Sequence, residues 1–314
     1  VTTQVYAHAK CASFFYRLAE PARVLGVEVV EHPGHVTADT VVTQRPLLPE
    51  LADLVVKWVA EGRRVVVDSD DSFDHLDPAH GIHGHYKTEH YHRACKAATV
   101  NTTTTPGLAK LYGYGKAAVL PNCVPESYLR SAPRGRRSPE PWIGWSGSIS
   151  AHPNDLAVTG AGIAKAIKST RARVVYLGPE RDEATISRQL SVRDVMPLGF
   201  VSLLGFPSVI AEYDIGIVPL EPIPFNTKMK SWLKGIELAA CGVPVVASPT
   251  EDYRRLAKLG ACLLAKTPAH WYEHVSRLLH DESFRSEQAQ RGREAMRDWT
   301  YEKRADLWRE AWGL

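Results

Sequence analysis

The sequence predicts an α/β protein built from two doubly wound domains that face each other across a cleft. Three observations predict it. Short apolar, β-branched runs alternate with longer helical stretches, the pattern of parallel strands joined by crossover helices. That rhythm runs through the chain twice. Between the two runs lies RSAPRGRRSPE at 130–140, basic, rich in Pro and Ser and without apolar period, as a linker would be.

In the first half the strand-like runs are 3–7, 27–31, 40–43, 64–68, 99–101 and 117–120, with helical stretches such as 14–25 and 48–61 between them. In the second half they are 141–145, 173–177, 195–198, 215–218, 243–247 and 262–265, separated by helices such as 155–168 and 229–240. The expected organisation is one domain over 1–132 and a second over 140–298. A terminal helix over 299–314 follows, whose Trp299, Leu307, Trp308 and Trp312 predict docking back onto the first domain. Open α/β sheets bind ligands at the carboxyl ends of their strands, so the site is expected in the cleft.

Composition narrows the class. With 314 residues, 44% hydrophobic and 23% charged, the chain has room for two domains of ordinary size. A net charge of +3 does not mark a nucleic-acid binder, although 130–137 is locally basic. No window approaches 18 uninterrupted apolar residues, so no membrane span is expected. VTTQVYAHAKCASFFYRL lacks the basic start and apolar core of a signal peptide. Cys11, Cys95, Cys123, Cys241 and Cys262 are scattered and form no CxxC pair, which predicts reduced thiols and a cytoplasmic protein.

The segment PFNTKMKSWLKGIELAACGVPVVAS at 224–248 concentrates the chemistry. A helix starting near 228–231 would offer free N–H groups and a positive dipole end to a phosphate. Lys230 and Lys234 are four apart and share a face, and Glu237 follows three later. Two readings stand on pattern alone: a solvated Lys/Glu face, or a nucleotide cleft with phosphates at the helix start and ribose hydroxyls at the carboxylate.

The chain resembles retaining glycosyltransferases of the GT-B fold, family 4, through an ordered set of segments. KSWLKGIELAACGVPVVAS is similar to their donor-nucleotide segment, and YDIGIVPL at 213–220 to the strand before it. VLPNCVP at 119–125, VNTTTTPGLAKLY at 100–112 and FFYRLAEPARVLG at 14–26 resemble the prelinker, preceding and opening segments. The resemblance covers most of the chain. It implies two Rossmann-like domains, with the terminal helix packing back across the hinge. It also implies retaining transfer of a sugar from a UDP- or GDP-sugar, by front-face displacement with the departing phosphate as base, and no essential metal or other cofactor. Glu237 matches the carboxylate that bonds the ribose, and Lys230, Ser231 and Lys234 fall where the diphosphate is held. Lysines and a helix dipole would stabilise the leaving diphosphate. Gly178 and Phe200 follow their strands where the base would lie.

Two departures stand out. Where many relatives carry a second glutamate near the sugar, this chain has Met229, with Glu221 a candidate substitute. The basic residues that many relatives place after the first donor-domain strand are replaced by WIGWSGSISAHPNDLA at 142–157. There Gly147 and Ser148 suit close approach to phosphate. His152 is a candidate hydrogen-bond donor to phosphate or sugar, beside Lys230 and Lys234 in the catalytic set, and Asp155 reads as a helix N-cap.

On the acceptor side, VVDSDDSF at 66–73 places Asp68, Asp70 and Asp71 after a strand. Asp70 and Asp71 are candidates to orient an acceptor hydroxyl, neutralise a basic acceptor or cap a helix. HGIHGHYKTEHYH at 80–92 contains no Cys and no HExxH, so a mobile acceptor loop is favoured over a zinc site, with His80 and His83 the first candidates. Arg17 reads as a cleft residue or as an ion-pair partner, and Lys10 and Ser13 as lining the same loop. The acceptor is a glycan, a small molecule, a protein or modified DNA. A different class stays open through Met229: a nucleotide-sugar-binding protein without turnover, or a GT-B-fold epimerase.

Overall fold

The computed structural model describes residues 1–76, 84, 87–131, 139–151 and 153–314. The first sheet contains β1 (Thr3–Tyr6), β2 (Glu28–Val30), β3 (Thr40–Gln44), β4 (Arg64–Ser69), β5 (Val100–Thr103) and β6 (Ala117–Val119). The second contains β7 (Trp142–Ser146), β8 (Arg173–Leu177), β9 (Val195–Pro197), β10 (Ile215–Val218), β11 (Val245–Ala247) and β12 (Leu263–Leu264). All neighbours are parallel. Each of the twelve runs expected from the sequence forms one of these strands. The central ones are Val- and Ile-rich because both sheet faces are covered.

The strand orders are β2-β1-β3-β4-β5-β6 and β12-β11-β10-β7-β8-β9. In the second sheet the chain runs outward from β7 through β8 and β9, then crosses back to β10 on the other side. The carboxyl ends of β7 and β10 therefore flank a topological switch point, where such sheets open a crevice for ligands.

The helix expected over 14–25 is interrupted. Ala12–Phe14 and Glu20–Leu25 are α-helical, and Phe15–Ala19 between them is a π-turn. Such turns are rare and recur at functional sites. This one carries Tyr16 and Arg17, both buried.

The terminal helix, Tyr301–Trp312, leaves the second sheet and packs on Glu20–Leu25 of the first domain. Its Tyr301 hydroxyl donates to the Tyr16 carbonyl at 2.5 Å. Val124 N–H donates to Trp299 O and Tyr301 N–H to Val124 O, both at 3.1 Å. Trp232 stands edge-on to Trp299 at 4.6 Å, and Trp308 and Trp312 are buried in a core that also holds Tyr16, Val124 and Ile236. Apolar packing thus runs through the hinge and ties the two sheets together. No helix among the described residues is long and apolar enough to cross a membrane.

Candidate donor and acceptor sites in the cleft

The helix Leu233–Ala240 lies beside the switch point of the second sheet. Lys234 and Glu237 are one turn apart on its face. Together they line a small cavity with Ser146, Ile217, Val218, Phe206, Ile210 and Leu238. Ser146 ends β7 and Val218 ends β10, so the cation and the carboxylate sit at the crevice the topology opens. Lys234 Nζ lies 5.6 Å from the centre of the Trp145 ring. A Cβ at Gly147 would stand 3.1 Å from that ammonium, and one at Gly178 would stand 2.2 Å from Gly147 O. These glycines let the ends of β7 and β8 lie against each other and leave room at the lysine. Ser148 pairs with Ser150 at 2.8 Å, and Ile149 N–H donates to Asp182 at 2.8 Å, which holds the loop after β7.

Burial sets the charges here. It pushes Glu237 up to about 7 against the pull of the Tyr16 hydrogen bond and of Lys234. Burial, then the neighbouring Lys230, lowers Lys234 to about 8. A carboxylate and an ammonium so perturbed in a cleft make this a candidate ligand site.

The helix begins later than the sequence pattern suggests. Residues Pro224–Lys228 form a short helix of their own, and the helix bearing Glu237 starts at Leu233 rather than at 228–231. The reason is tertiary. Trp232 is fully buried and its indole N–H donates to Asn122 O at 2.9 Å, which bends the chain before the helix can start. Lys230 and Ser231 therefore lie in the connection, facing the first domain.

That connection is gripped from the other side of the cleft. Lys230 Nζ pairs with Asp71 at 3.2 Å. Asn122 Nδ2 donates to Ser231 Oγ at 2.8 Å. Tyr16 donates its hydroxyl to Glu237, and Tyr16 and Tyr128 hydroxyls are 2.6 Å apart. Thr105 Oγ1 donates to Met229 O at 3.2 Å, and the Met229 side chain packs against the first domain's core. Tyr16, Asn122 and Tyr128 were not singled out by the sequence reading. Nothing local separates them from ordinary core polar residues.

The first domain holds a second polar cluster at the ends of β3 and β4. Arg45 clamps Asp70 with two bonds of 2.9 and 2.8 Å, Gln44 Nε2 donates to Asp70 at 3.0 Å, and Ser13 donates to it as well. Burial raises the Asp70 carboxyl, but Arg45 and Ser13 outweigh it and hold the group at about 2. Arg45 adopts φ 51° and lies 5.4 Å from the Phe73 ring centre. A left-handed non-glycine residue costs roughly 1–3 kcal/mol, offset here by the clamp. The sequence reading did not single out Gln44 or Arg45; Gln44 ends β3 and Arg45 follows it, and that place at a strand's carboxyl end is the one signal that could have found them.

Several expectations are corrected. Arg17 does not face the cleft: it is 1% exposed, paired with Asp68 by bonds of 3.1 and 2.8 Å, and it donates to Leu120 O and Asn122 Oδ1. It fixes the π-turn to the ends of β4 and β6. Asp68 is committed to Arg17 and to Thr102. Lys10 is exposed and pairs with Glu31 at 2.5 Å, whereas Ser13 bonds Asp70. Asp155 is not an N-cap, since Asn154 holds that position without a side-chain bond. Asp155 instead accepts from Glu221 N–H at 2.8 Å and Asn226 Nδ2 at 2.9 Å, tying the loop after β10 to the site. Among the described residues the Glu221 carboxylate accepts from Asn154 at 3.4 Å. Asp71 accepts from Ser72 N–H within its own turn, and among the described residues Asp70 caps no helix. Phe200 is 83% exposed in the loop after β9. His152, His80 and His83 lie outside the described residues. Among the described residues no group of three or more His, Cys, Asp and Glu is arranged to hold a metal ion.

Residues 163–310 match the family described as glycosyl transferase-like. That span includes Lys230, Lys234 and Glu237. No curated protein matches the chain. Among solved structures, a sucrose-phosphate synthase from Thermosynechococcus elongatus is similar over 99% of each chain at 11% identity, with a TM-score of 0.73. HepE from Anabaena, in complex with UDP and glucose, is similar over 99% of each chain at 13% identity, with a TM-score of 0.67. AviGT4, a glycosyltransferase involved in avilamycin A biosynthesis, is similar over 99% of this chain and 97% of its own at 15% identity, with a TM-score of 0.61. With two parallel six-stranded sheets across a cleft, the chain has the GT-B fold of these glycosyltransferase structures, and 163–310 is the part that matches the glycosyl transferase-like family.

Proposed function

We propose that the protein transfers a sugar from a nucleotide diphosphate sugar to an acceptor hydroxyl, with retention of anomeric configuration and without an essential metal. The observation that carries this is the placement of Lys234 and Glu237 together at the switch-point cavity of the second sheet. Glu237 would accept from the ribose hydroxyls. Lys234, the N–H groups at the start of Leu233–Ala240 and Lys230 would hold the diphosphate and stabilise the charge that grows on it as the glycosidic bond breaks. Gly147 and Gly178 give the phosphates room beside Lys234. UDP is the favoured nucleotide, since HepE has been solved with UDP-glucose.

The acceptor approaches from the first domain. Asp70, clamped by Arg45, is an ionised hydrogen-bond acceptor at neutral pH, and Asp71 stands opposite Lys230. In a front-face displacement the acceptor oxygen bonds to the anomeric carbon on the face from which the diphosphate leaves. Its proton passes to the departing phosphate oxygen. Met229 leaves the sugar hydroxyls without the second glutamate, so the grip on the sugar falls to the loop around Asp155, Glu221 and Asn226.

The test is turnover of a panel of UDP- and GDP-sugars, with the product's anomeric coupling read by proton NMR. An α-linked product from an α-linked donor, formed in the presence of a chelator, supports the reading. An inverted product contradicts the retaining mechanism, and loss of turnover with the chelator contradicts metal independence.

A further inference from the structure

Three side chains assigned to the donor each already have a partner, and all three partners come from the other domain. Asp71 holds Lys230, Asn122 holds Ser231, and Tyr16 holds Glu237. The partners match the donor in chemistry. A carboxylate meets the lysine that would take a phosphate, and a phenol hydroxyl meets the carboxylate that would take a ribose hydroxyl. Physical necessity accounts for this. A buried carboxylate without a hydrogen-bond donor is costly, and so is a half-buried ammonium without an anion. Glu237 is only 6% exposed, so solvent does not fill that role.

The backbone closes on the same segment. Thr105 bonds Met229 O, and a Cβ at Gly107 would lie 2.2 Å from Lys228 O. The first domain thus presses on 228–237 from the loops after β4, β5 and β6 and from the π-turn after β1. Tyr16 is itself held by Tyr128 and by the packing of the terminal helix on its carbonyl.

We propose that the ligand-free chain occupies its own donor site: Tyr16, Asn122 and Asp71 stand where the donor's hydroxyls and phosphates bind, and a nucleotide sugar enters by displacing them. This rests on the donor reading above. In consequence the contacts compete with the donor. They set a threshold for its binding, and they release Asp71 beside the acceptor only once phosphate has taken Lys230.

The test is UDP titration by calorimetry on the full chain, comparing wild type with Tyr16→Phe, Asp71→Asn and Glu237→Gln. A lost intramolecular bond of roughly 0.5–1.5 kcal/mol tightens a competing ligand by about 2- to 10-fold. Tyr16→Phe and Asp71→Asn are therefore expected to bind UDP tighter, while Glu237→Gln binds it weaker. Amide exchange supplies the readout that a merely structural role would not move: UDP should speed exchange at 12–19 and 70–73 in wild type. Weaker UDP binding by Tyr16→Phe and Asp71→Asn, or slower exchange in those segments, overturns the proposal while leaving the donor site in place. Equal binding by wild type and Glu237→Gln overturns the donor reading, and this proposal with it.

Discussion

The Tyr16 hydroxyl, in the first domain, donates to the Glu237 carboxylate in the second, 221 residues further along the chain. The bond joins a π-turn to the helix Leu233–Ala240, proposed above to hold the donor. Burial nevertheless keeps Glu237 near 7 rather than at its ordinary 4.5. Between those values the unfolded chain has released a proton that the folded chain retains. Stability drawn from this residue therefore falls as pH rises through the window, by roughly 3 kcal/mol in all. Glu237→Gln keeps an acceptor for Tyr16 and carries no charge. In urea unfolding it should be more stable than wild type at pH 8, and the gap should close by pH 5. A gap that does not change with pH would show that Glu237 is not held in its raised state.

Donor affinity should be bell-shaped in pH. UDP-glucose carries no group that titrates near neutrality, so the limbs report the protein. Protonation of Glu237 below about 7 takes the charge from the ribose acceptor and weakens it, and deprotonation of Lys234 above about 8 removes the phosphate cation. Binding calorimetry from pH 5.5 to about 9.5 reads both limbs. Lys234→Arg, permanently charged, should abolish the alkaline limb. A flat profile in wild type would contradict the assigned roles.

Gly178 and Gly147 meet backbone to side-chain position, with no space for a methyl group. A Cβ at Gly178 would stand 2.2 Å from Gly147 O. Gly178→Ala must push the loop after β7 away from Lys234. The expected result is a loss of UDP affinity of about 10-fold or more, with circular dichroism unchanged. Unchanged affinity would place the diphosphate away from this loop.

Arg17 carries stability rather than acceptor binding. Its pair with Asp68 is buried at 1% and 2% side-chain exposure. Arg17→Met strands the Asp68 carboxylate, and breaking such a pair costs about 3–5 kcal/mol. The variant should show that loss in urea unfolding, with the acceptor KM of the folded fraction close to wild type. A large change in acceptor KM at unchanged stability would return Arg17 to the cleft.

Much of the fold could be read from the sequence, because parallel strands buried on both faces leave short β-branched runs between longer helical stretches. Lys234 and Glu237 could be read for a related reason: a cation and a carboxylate three apart before a Gly-Val-Pro turn form a local pattern. What escaped was tertiary. The helix start moved to Leu233 because Trp232 is pulled toward Asn122, a residue 110 positions earlier. Arg17 drew notice as a charge on an apolar helix, yet its partner Asp68 sits in a strand 51 residues on. Tyr16, its neighbour, looked like core until the fold brought it to Glu237. Asp155 stood where a cap belongs and found better partners in Glu221 and Asn226.

The central claim is that the second domain holds a nucleotide at Lys234 and Glu237. A crystal structure of the chain with UDP bound tests it most directly. The account predicts ribose hydroxyls on Glu237, the diphosphate between Lys234 and Gly147, and the Tyr16 hydroxyl withdrawn. UDP seated elsewhere, with Tyr16 still bonded to Glu237, would contradict it.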